Sequence, residues 1–193
     1  LLIKKANDLN IDLIIIGPEN PLAMGLADTL REKKFKVFGP GADGAKLESS
    51  KSWANKFMED ANIPTAKFWK VNSIKEAQKI ISESPEPLVV KADGLASGKG
   101  VFVPESREES LDAAKVIFNG KFGNAGQIVV LEEKMRGPEV SVFALCDGEN
   151  YVLLPTAQDH KRLNENDKGP NTGGMGAYSP TPLITKSYLE RIT

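Results

Sequence analysis

The sequence predicts α/β structure with a parallel sheet at the start of the chain, followed by an α+β region. Three observations predict it. Over residues 1–40, short apolar runs alternate with helix-spaced leucines, as in strand–helix–strand crossovers. Beyond them, two Ser-x-x-Glu capping signals open helices that strand-like runs bracket on both sides. Composition agrees, since 40% of the 193 residues are hydrophobic and 26% charged, a core-forming mix. With 25 Lys and Arg against 26 Asp and Glu, the net charge of -1 is too small for a disordered chain. The cationic surplus of a generic nucleic-acid binder is absent as well. No apolar run approaches the ~20 residues of a membrane span. A single cysteine, Cys146, leaves no internal disulfide and points to a reducing compartment. One histidine, His160, excludes a His-rich metal centre within the chain.

Leu1-Leu2-Ile3-Lys4-Lys5-Ala6 reads as the tail of a helix already under way, and Glu190-Arg191-Ile192-Thr193 as the beginning of another. The chain is therefore expected to be a fragment. Ile11-Asp12-Leu13-Ile14-Ile15-Ile16 is an apolar run interrupted only by Asp12 and ending at Gly17-Pro18, the pattern of a parallel strand covered on both faces. Asn20 is expected to cap the next helix with Pro21 at its first position, and Leu22, Leu26 and Leu30 give its inner face. Val37-Phe38 is the second strand, closed by Gly39-Pro40. Residues 1–40 thus look like the back half of a nucleotide-fold domain. A helix is expected over residues 45–61, with Trp53, Phe57 and Ala61 on one face. Ser73 and Ser106, each with Glu three residues on, open helices whose inner faces are Ala77, Ile80 and Ile81, then Leu111, Ala114, Ile117 and Phe118. Strands are expected over residues 88–91, 101–103 and 128–132, so residues 68–134 make a small lid-sized α+β unit. Val140 and Val142 alternate along a further strand, and Asp147-Gly148 turns a hairpin into Tyr151-Val152-Leu153-Leu154. Cys146, at a strand end, is expected to be a small buried hydrophobe.

The segment richest in chemistry is Lys91-Ala92-Asp93-Gly94-Leu95-Ala96-Ser97-Gly98-Lys99-Gly100-Val101. Glycines there let backbone N–H groups approach phosphate oxygens, and Lys91 and Lys99 add positive charge. It is not a Walker loop, which would need Gly-Lys-Ser/Thr entering a helix. A bare Gly-Lys-Gly is more often a hairpin tip with solvated lysines; the full string, with a strand on each side, favours the phosphate reading. Next, the apolar strand over residues 128–131 empties into Glu132-Glu133-Lys134-Met135, a hinge able to offer backbone groups to an adenine edge. Glu139 beyond it can accept from ribose hydroxyls. Alone, this run is a solvated strand end; linked to the lysine loop it completes a nucleotide cleft. The third cluster, Gln158-Asp159-His160-Lys161-Arg162, precedes the glycine-dense run Gly169-Pro170-Asn171-Thr172-Gly173-Gly174-Met175-Gly176. Lys161 and Arg162 suit a phosphate, and Gly173, Gly174 and Gly176 leave room for a ligand against the backbone. Without that context the cluster is a surface charge run.

Gly17-Pro18-Glu19, the string over residues 91–101, Gln158-Asp159-His160-Lys161-Arg162 and the run from Gly169 to Pro180 together resemble the glycinamide ribonucleotide synthetase family, the phosphoribosylamine–glycine ligases. The resemblance covers almost the whole chain. It implies an ATP-grasp fold, a lid and a central domain, preceded by part of a Rossmann-like parallel-sheet domain. The divisions implied are 1–47 for the N-terminal piece, 48–67 with 135–193 for the central domain, and 68–134 for the lid. It further implies that Lys51, Lys91, Ser97, Gly98, Lys99 and Gly100 meet the ATP phosphates, with Lys91 and Lys99 catalytic. Glu132, Glu133, Lys134 and Met135 hold adenine, and Glu139 holds ribose. Asp159, His160, Lys161, Arg162, Asn171, Thr172, Gly173 and Gly174 line the phosphoribosylamine and glycine end. The family's ligands for magnesium (or manganese) are expected downstream of Thr193 and its opening glycine turn before Leu1, so little ligase activity is expected of the fragment alone. Lys134 and Pro138 stand where the family often has an aromatic and an acidic residue.

The implied chemistry is ATP-dependent joining of glycine to 5-phosphoribosylamine through glycyl phosphate, in a cytoplasmic, monomeric enzyme without nucleic-acid or membrane partners. Two rivals stand beside it. Another ATP-grasp carboxylate–amine ligase would share the lysine loop but lack the run from Gly169 to Pro180. A non-catalytic nucleotide-binding module would lack metal-binding carboxylates altogether. A dehydrogenase fits poorly, because no Gly-x-Gly-x-x-Gly follows a strand.

Overall fold

The alternation at the start of the chain folds into α1 (Leu2–Asp8), β1 (Ile14–Ile15), α2 (Glu19–Ala23), α3 (Leu26–Glu32) and β2 (Val37–Phe38). The computed structural model describes every residue except Ser97 and Asp167, and of Pro170 and Asn171 only the backbone. β1 and β2 run parallel, Ile14 beside Val37 and Ile15 beside Phe38, over a core of Ile16, Leu22, Ala27, Leu30 and Ala45. Three details depart from the sequence reading. Only one face of β1 is covered: Ile16 is buried, whereas its neighbour Ile15 points the other way and is 68% exposed. The leucine-spaced helix is split, because Gly25 takes a left-handed φ of 80°. Its first half starts at Glu19 with no side-chain cap, so Asn20 lies inside the helix.

The helix expected over residues 45–61 is likewise two, α4 (Lys46–Ser49) and α5 (Lys51–Asp60). Ser50 between them is extended, and its Oγ accepts from the Trp53 N–H at 3.3 Å. A Ser cap competes with helix continuation here. The buried face of α5 carries Ser52, Ala54 and Asn55, while Trp53 and Phe57 stack on each other in partial exposure.

Next come β3 (Phe68–Val71), α6 (Ile74–Glu83), β4 (Val89–Ala92), β5 (Val101–Phe102), α7 (Arg107–Val116) and β6 (Val129–Glu132). They build an antiparallel sheet of order β3-β6-β4-β5. The expected inner faces of α6 and α7 pack onto it, with Ala77, Ile81, Ala114 and Ile117 joining Val71, Val90, Val129 and Leu131 in one core. Both capping signals are built. Ser73 Oγ accepts from the Glu76 N–H at 3.2 Å and Ser106 Oγ from the Glu109 N–H at 3.1 Å. The two glutamates reach back to the N–H groups of Asn72 and Glu105. Ser106→Ala is expected to cost this helix about 1 kcal/mol, seen as faster amide exchange in the first turn of α7.

These elements form one compact unit, Leu1–Met135; a second unit is Arg136–Thr193. The second contains β7 (Ala144–Cys146), β8 (Tyr151–Leu153), β9 (Gln158–Asp159), β10 (Arg162–Asn164), β11 (Lys168–Asn171), β12 (Ala177–Tyr178) and α8 (Lys186–Ile192). The pairs β7–β8, β10–β11 and β9–β12 are antiparallel. In the first hairpin, Asp147 Oδ1 accepts from the N–H groups of Glu149 and Asn150. Of the strand expected around Val140 and Val142, only a single bridge between Ser141 and Ala157 forms. Cys146 is exposed rather than buried, because every residue of β7 is exposed and both apolar cores of the described residues lie in the first unit. Among the described residues no helix is long and apolar enough to cross a membrane.

Candidate functional site

In the first unit, β4 carries Lys91 between β5 and β6, opposite Val101 and Val130. Its ammonium meets the Glu132 carboxylate at the end of β6. Glu132 is only 8% exposed, and a buried carboxylate needs partners on both oxygens. The second partner is buried Asn55 on α5, whose Nδ2 donates to Glu132 Oε1 at 2.9 Å. α5 also supplies Lys51, whose Nζ donates to the Gly94 carbonyl at 3.3 Å. Burial pushes the Lys51 pKa below the ordinary lysine value; Glu48, Asp93 and Glu132 pull it up, and the like charge of Lys91 adds to the fall. Lys51 and Lys91 thus stand at the start of the glycine-rich loop, whereas Lys99, the second lysine of the charge argument, is exposed.

The loop leaves β4 at Asp93. Its base is closed by the Ala92 N–H donating to the Gly100 carbonyl at 2.8 Å. The Gly94 N–H donates to the Ala125 carbonyl at 3.2 Å, so a 3-10 turn, Gly123–Gly126, backs the loop. Gly98 takes φ 73°, and it and Lys99 are exposed. Ser97 lies outside the described residues. A cleft of about 190 Å³ is lined by Glu19, Asn20, Glu48, Lys51, Ala96 and Gly100 among others. At the hinge, the Glu133 N–H donates to the Lys67 carbonyl at 2.9 Å. Lys134 donates to the Pro104 carbonyl at 3.0 Å and pairs with Glu105 at 2.8 Å. Met135 is exposed.

In the second unit, Lys161 pairs with Glu139 and lies 3.6 Å from Asp159. Its pKa is raised, first by the hydrogen bond to Glu139. Arg162 Nη1 donates to the Gly169 carbonyl at 2.7 Å, pinning the start of the glycine run to β10. The run then lies along the charged strand: the Thr172 N–H donates to the Lys161 carbonyl, the Met175 N–H to the His160 carbonyl, and the His160 N–H to the Gly176 carbonyl. The His160 ring stacks on Tyr178 with centroids 5.8 Å apart. The Gly174 N–H donates to Thr172 Oγ1 at 3.0 Å. A Cβ on Gly173, Gly174 or Gly176 would meet nothing within 4 Å, so the loop is open above its backbone. The side chain of Asn171 lies outside the described residues.

The structure therefore gathers Lys51, Lys91 and Glu132 beside the loop in one unit, and Glu139, Asp159, Lys161 and Arg162 in the other. Three contributors escaped the sequence reading: Asn55, Glu48 and Asp93. Asp93 lies inside the quoted string, yet only its lysines and glycines were legible as phosphate ligands. Among the described residues no group of three or more His, Cys, Asp or Glu is placed to hold a metal ion.

A four-stranded antiparallel sheet bearing a lysine and a glycine-rich loop, flanked by a lysine-bearing helix, belongs to the ATP-grasp class. Solved structures of that class share the fold. The D-alanyl-alanine synthetase A of Vibrio cholerae covers 94% of this chain and 56% of its own at a TM-score of 0.71 and 15% identity. The Hydrogenobacter thermophilus 2-oxoglutarate carboxylase biotin carboxylase domain, solved with MgADP, ADP and bicarbonate, covers 86% of this chain and 38% of its own at a TM-score of 0.66 and 21% identity. Within the class, the model of the phosphoribosylglycinamide synthetase ATP-grasp (A) domain matches residues 49–193, and that of its N domain matches residues 1–48. The chain belongs to the phosphoribosylglycinamide synthetase family. It is 49% identical over 182 residues to a phosphoribosylamine–glycine ligase of Leptospira interrogans, across 94% of this chain and 43% of the relative. The crystal structure of the Thermotoga maritima phosphoribosylamine–glycine ligase is 39% identical and covers 81% of this chain and 41% of its own at a TM-score of 0.74. The chain thus spans less than half the length of these relatives.

Proposed function

We propose that the protein to which this chain belongs joins glycine to 5-phosphoribosylamine at the expense of ATP, giving glycinamide ribonucleotide, ADP and phosphate. The observation that carries the reading is the pair Lys51 and Lys91 set beside the loop over residues 94–100. In the reaction a glycine carboxylate oxygen attacks the γ-phosphorus of ATP while the bond to the bridging oxygen breaks, releasing ADP. The amine nitrogen then adds to the acyl carbon of glycyl phosphate; the carbon–oxygen bond to phosphate breaks and the nitrogen gives up a proton. Carboxylates acylate poorly and acyl phosphates hydrolyse, so the protein must balance charge and exclude water.

In this reading Lys51, Lys91 and Lys99 offset charge on the phosphates, and residues 97–100 close over them. Glu132 holds Lys91 in place, backbone groups from Glu132 to Met135 meet adenine, and Glu139 meets ribose. Asp159, His160, Lys161 and Arg162, with Asn171, Thr172, Gly173 and Gly174, line the end that takes glycine and the phosphorylated amine. The domain division follows the same reading: 1–47, then 48–67 with 135–193, with 68–134 as the lid. Magnesium, or manganese, when bound, supplies further neutralisation of phosphate charge. The enzyme is read as a cytoplasmic monomer acting on small molecules, with no nucleic-acid or membrane partner.

The test uses the full-length protein and glycine labelled with ¹⁸O in its carboxylate. One labelled oxygen is expected in the phosphate released for each amide formed, with sustained turnover of ATP to ADP only when both glycine and the amine are present. Unlabelled phosphate alongside amide product would overturn acyl-phosphate chemistry. ADP release driven by a different carboxylate or amine would favour another ligase of the class.

A further inference from the structure

We propose that Asp93 is the positioning residue that locks the first turn of α5, and with it Lys51, onto the strand end that carries Lys91 and opens the phosphate loop. This rests on the reading that the loop takes ATP. A helix leaves its first N–H groups without internal partners. In α5, two of these are met by this one residue from 41 or more positions away: the Lys51 N–H donates to the Asp93 carbonyl at 3.1 Å, and the Ser52 N–H to Asp93 Oδ1 at 2.6 Å. The Ser50 hydroxyl, whose oxygen accepts from the Trp53 N–H, donates to Asp93 Oδ2 at 3.0 Å. Asp93 is itself fixed by its N–H, which donates to the Ile128 carbonyl at 3.1 Å. The very next carbonyl, that of Gly94, receives the Lys51 ammonium.

A local Ser or Asn cap would satisfy a helix terminus by itself. A cap delivered from β4 does more, because it sets Lys51 and Lys91 in register although 40 positions separate them. Its negative charge also faces the helix amino end and the Lys51 side chain. The other charged groups around Lys51 are Glu19 of α2 and Glu48 of α4, which line the same cleft, with Lys91 on β4 and Glu132 on β6. Asp93 is among the groups holding the Lys51 proton on against the effect of burial. Neutralising it therefore lowers the pH at which Lys51 loses its charge.

The test measures MgATP binding to the full-length protein by calorimetry between pH 7 and 10 for wild type, Asp93→Asn, Lys51→Met and the double variant. That wild type binds MgATP tests the proposed function; the ratios between variants test Asp93. Asp93→Asn is expected to weaken binding about tenfold and to move the alkaline fall in affinity to lower pH. In the Lys51→Met background the same change should add no more than about threefold, since its effect runs through Lys51. Ser50→Ala, which keeps the carboxylate and removes one bond, should give a smaller loss with an unmoved alkaline limb. Wild-type affinity in Asp93→Asn, an unmoved limb there, or losses that multiply in the double variant would overturn the proposal and leave Asp93 a helix cap only.

Discussion

Lys91→Met in the full-length protein is expected to lower ATP-dependent turnover about 10²- to 10³-fold, the cost of deleting one preorganised charge at a transferring group. It should also destabilise the fold. The Lys91 ammonium is the cationic partner of Glu132, which is 8% exposed and otherwise held by Asn55. Removing one member of a buried pair strands the other. Since a quarter of the Lys91 side chain is exposed, the loss should fall below that of a fully buried pair, about 2–3 kcal/mol. Adding Glu132→Gln removes the stranded charge while keeping an oxygen for Asn55, so the double variant should regain most of the stability and none of the turnover. Urea unfolding and steady-state assays on the same preparations separate the two effects. Turnover that returns with stability would show that Lys91 serves the scaffold and not the phosphates.

Gly94→Ala is the second large effect. A Cβ there would lie 2.9 Å from both Cα and Cβ of Ala125, and backbone cannot step aside as a flexible side chain tip does. The loop base or the turn behind it must move. The strain should cost about 1–3 kcal/mol. The Gly94 carbonyl that receives Lys51 moves with it, so MgATP affinity should fall alongside stability. Gly98→Ala is the matched contrast: its φ is 73° but nothing lies within 4 Å. Only the conformational penalty of about 1–2 kcal/mol applies there. Thermal midpoints should rank wild type, then Gly98→Ala, then Gly94→Ala. The reverse order would mean that the turn from Gly123 to Gly126 does not support the loop.

What could be read from the sequence was local in its physics. Ser73 with Glu76 and Ser106 with Glu109 declare helix starts within four residues of chain, and the structure builds both. The inner faces of α6 and α7 follow from the same short range, and the strand–helix–strand alternation over residues 1–40 predicts the parallel pair β1–β2. Breaks inside helices were harder. Gly25 and Ser50 sit in patterns whose apolar spacing continues across them, and the interruption comes from a left-handed glycine and a side-chain cap. Burial misled where no second layer covers a strand, as at Ile15 and Cys146. At the candidate site, Lys91 and Glu132 came from the strand-and-loop pattern and Lys51 from the resemblance alone, but the contacts of Asn55 and Asp93 were not legible. Asn55 meets Glu132 across 77 positions and Asp93 meets Ser52 across 41. No periodicity or spacing encodes such contacts, since the sheet order β3-β6-β4-β5 brings them together.

The central claim is that the triphosphate of ATP rests on Lys51 and Lys91 under the loop over residues 94–100. A crystal structure of the full-length protein with a non-hydrolysable ATP analogue and magnesium tests it most directly. The expected result is phosphate oxygens within about 3 Å of both ammonium groups, with the loop backbone turned toward them. A triphosphate seated elsewhere, while Lys51 still holds only the Gly94 carbonyl and Lys91 only Glu132, would contradict it.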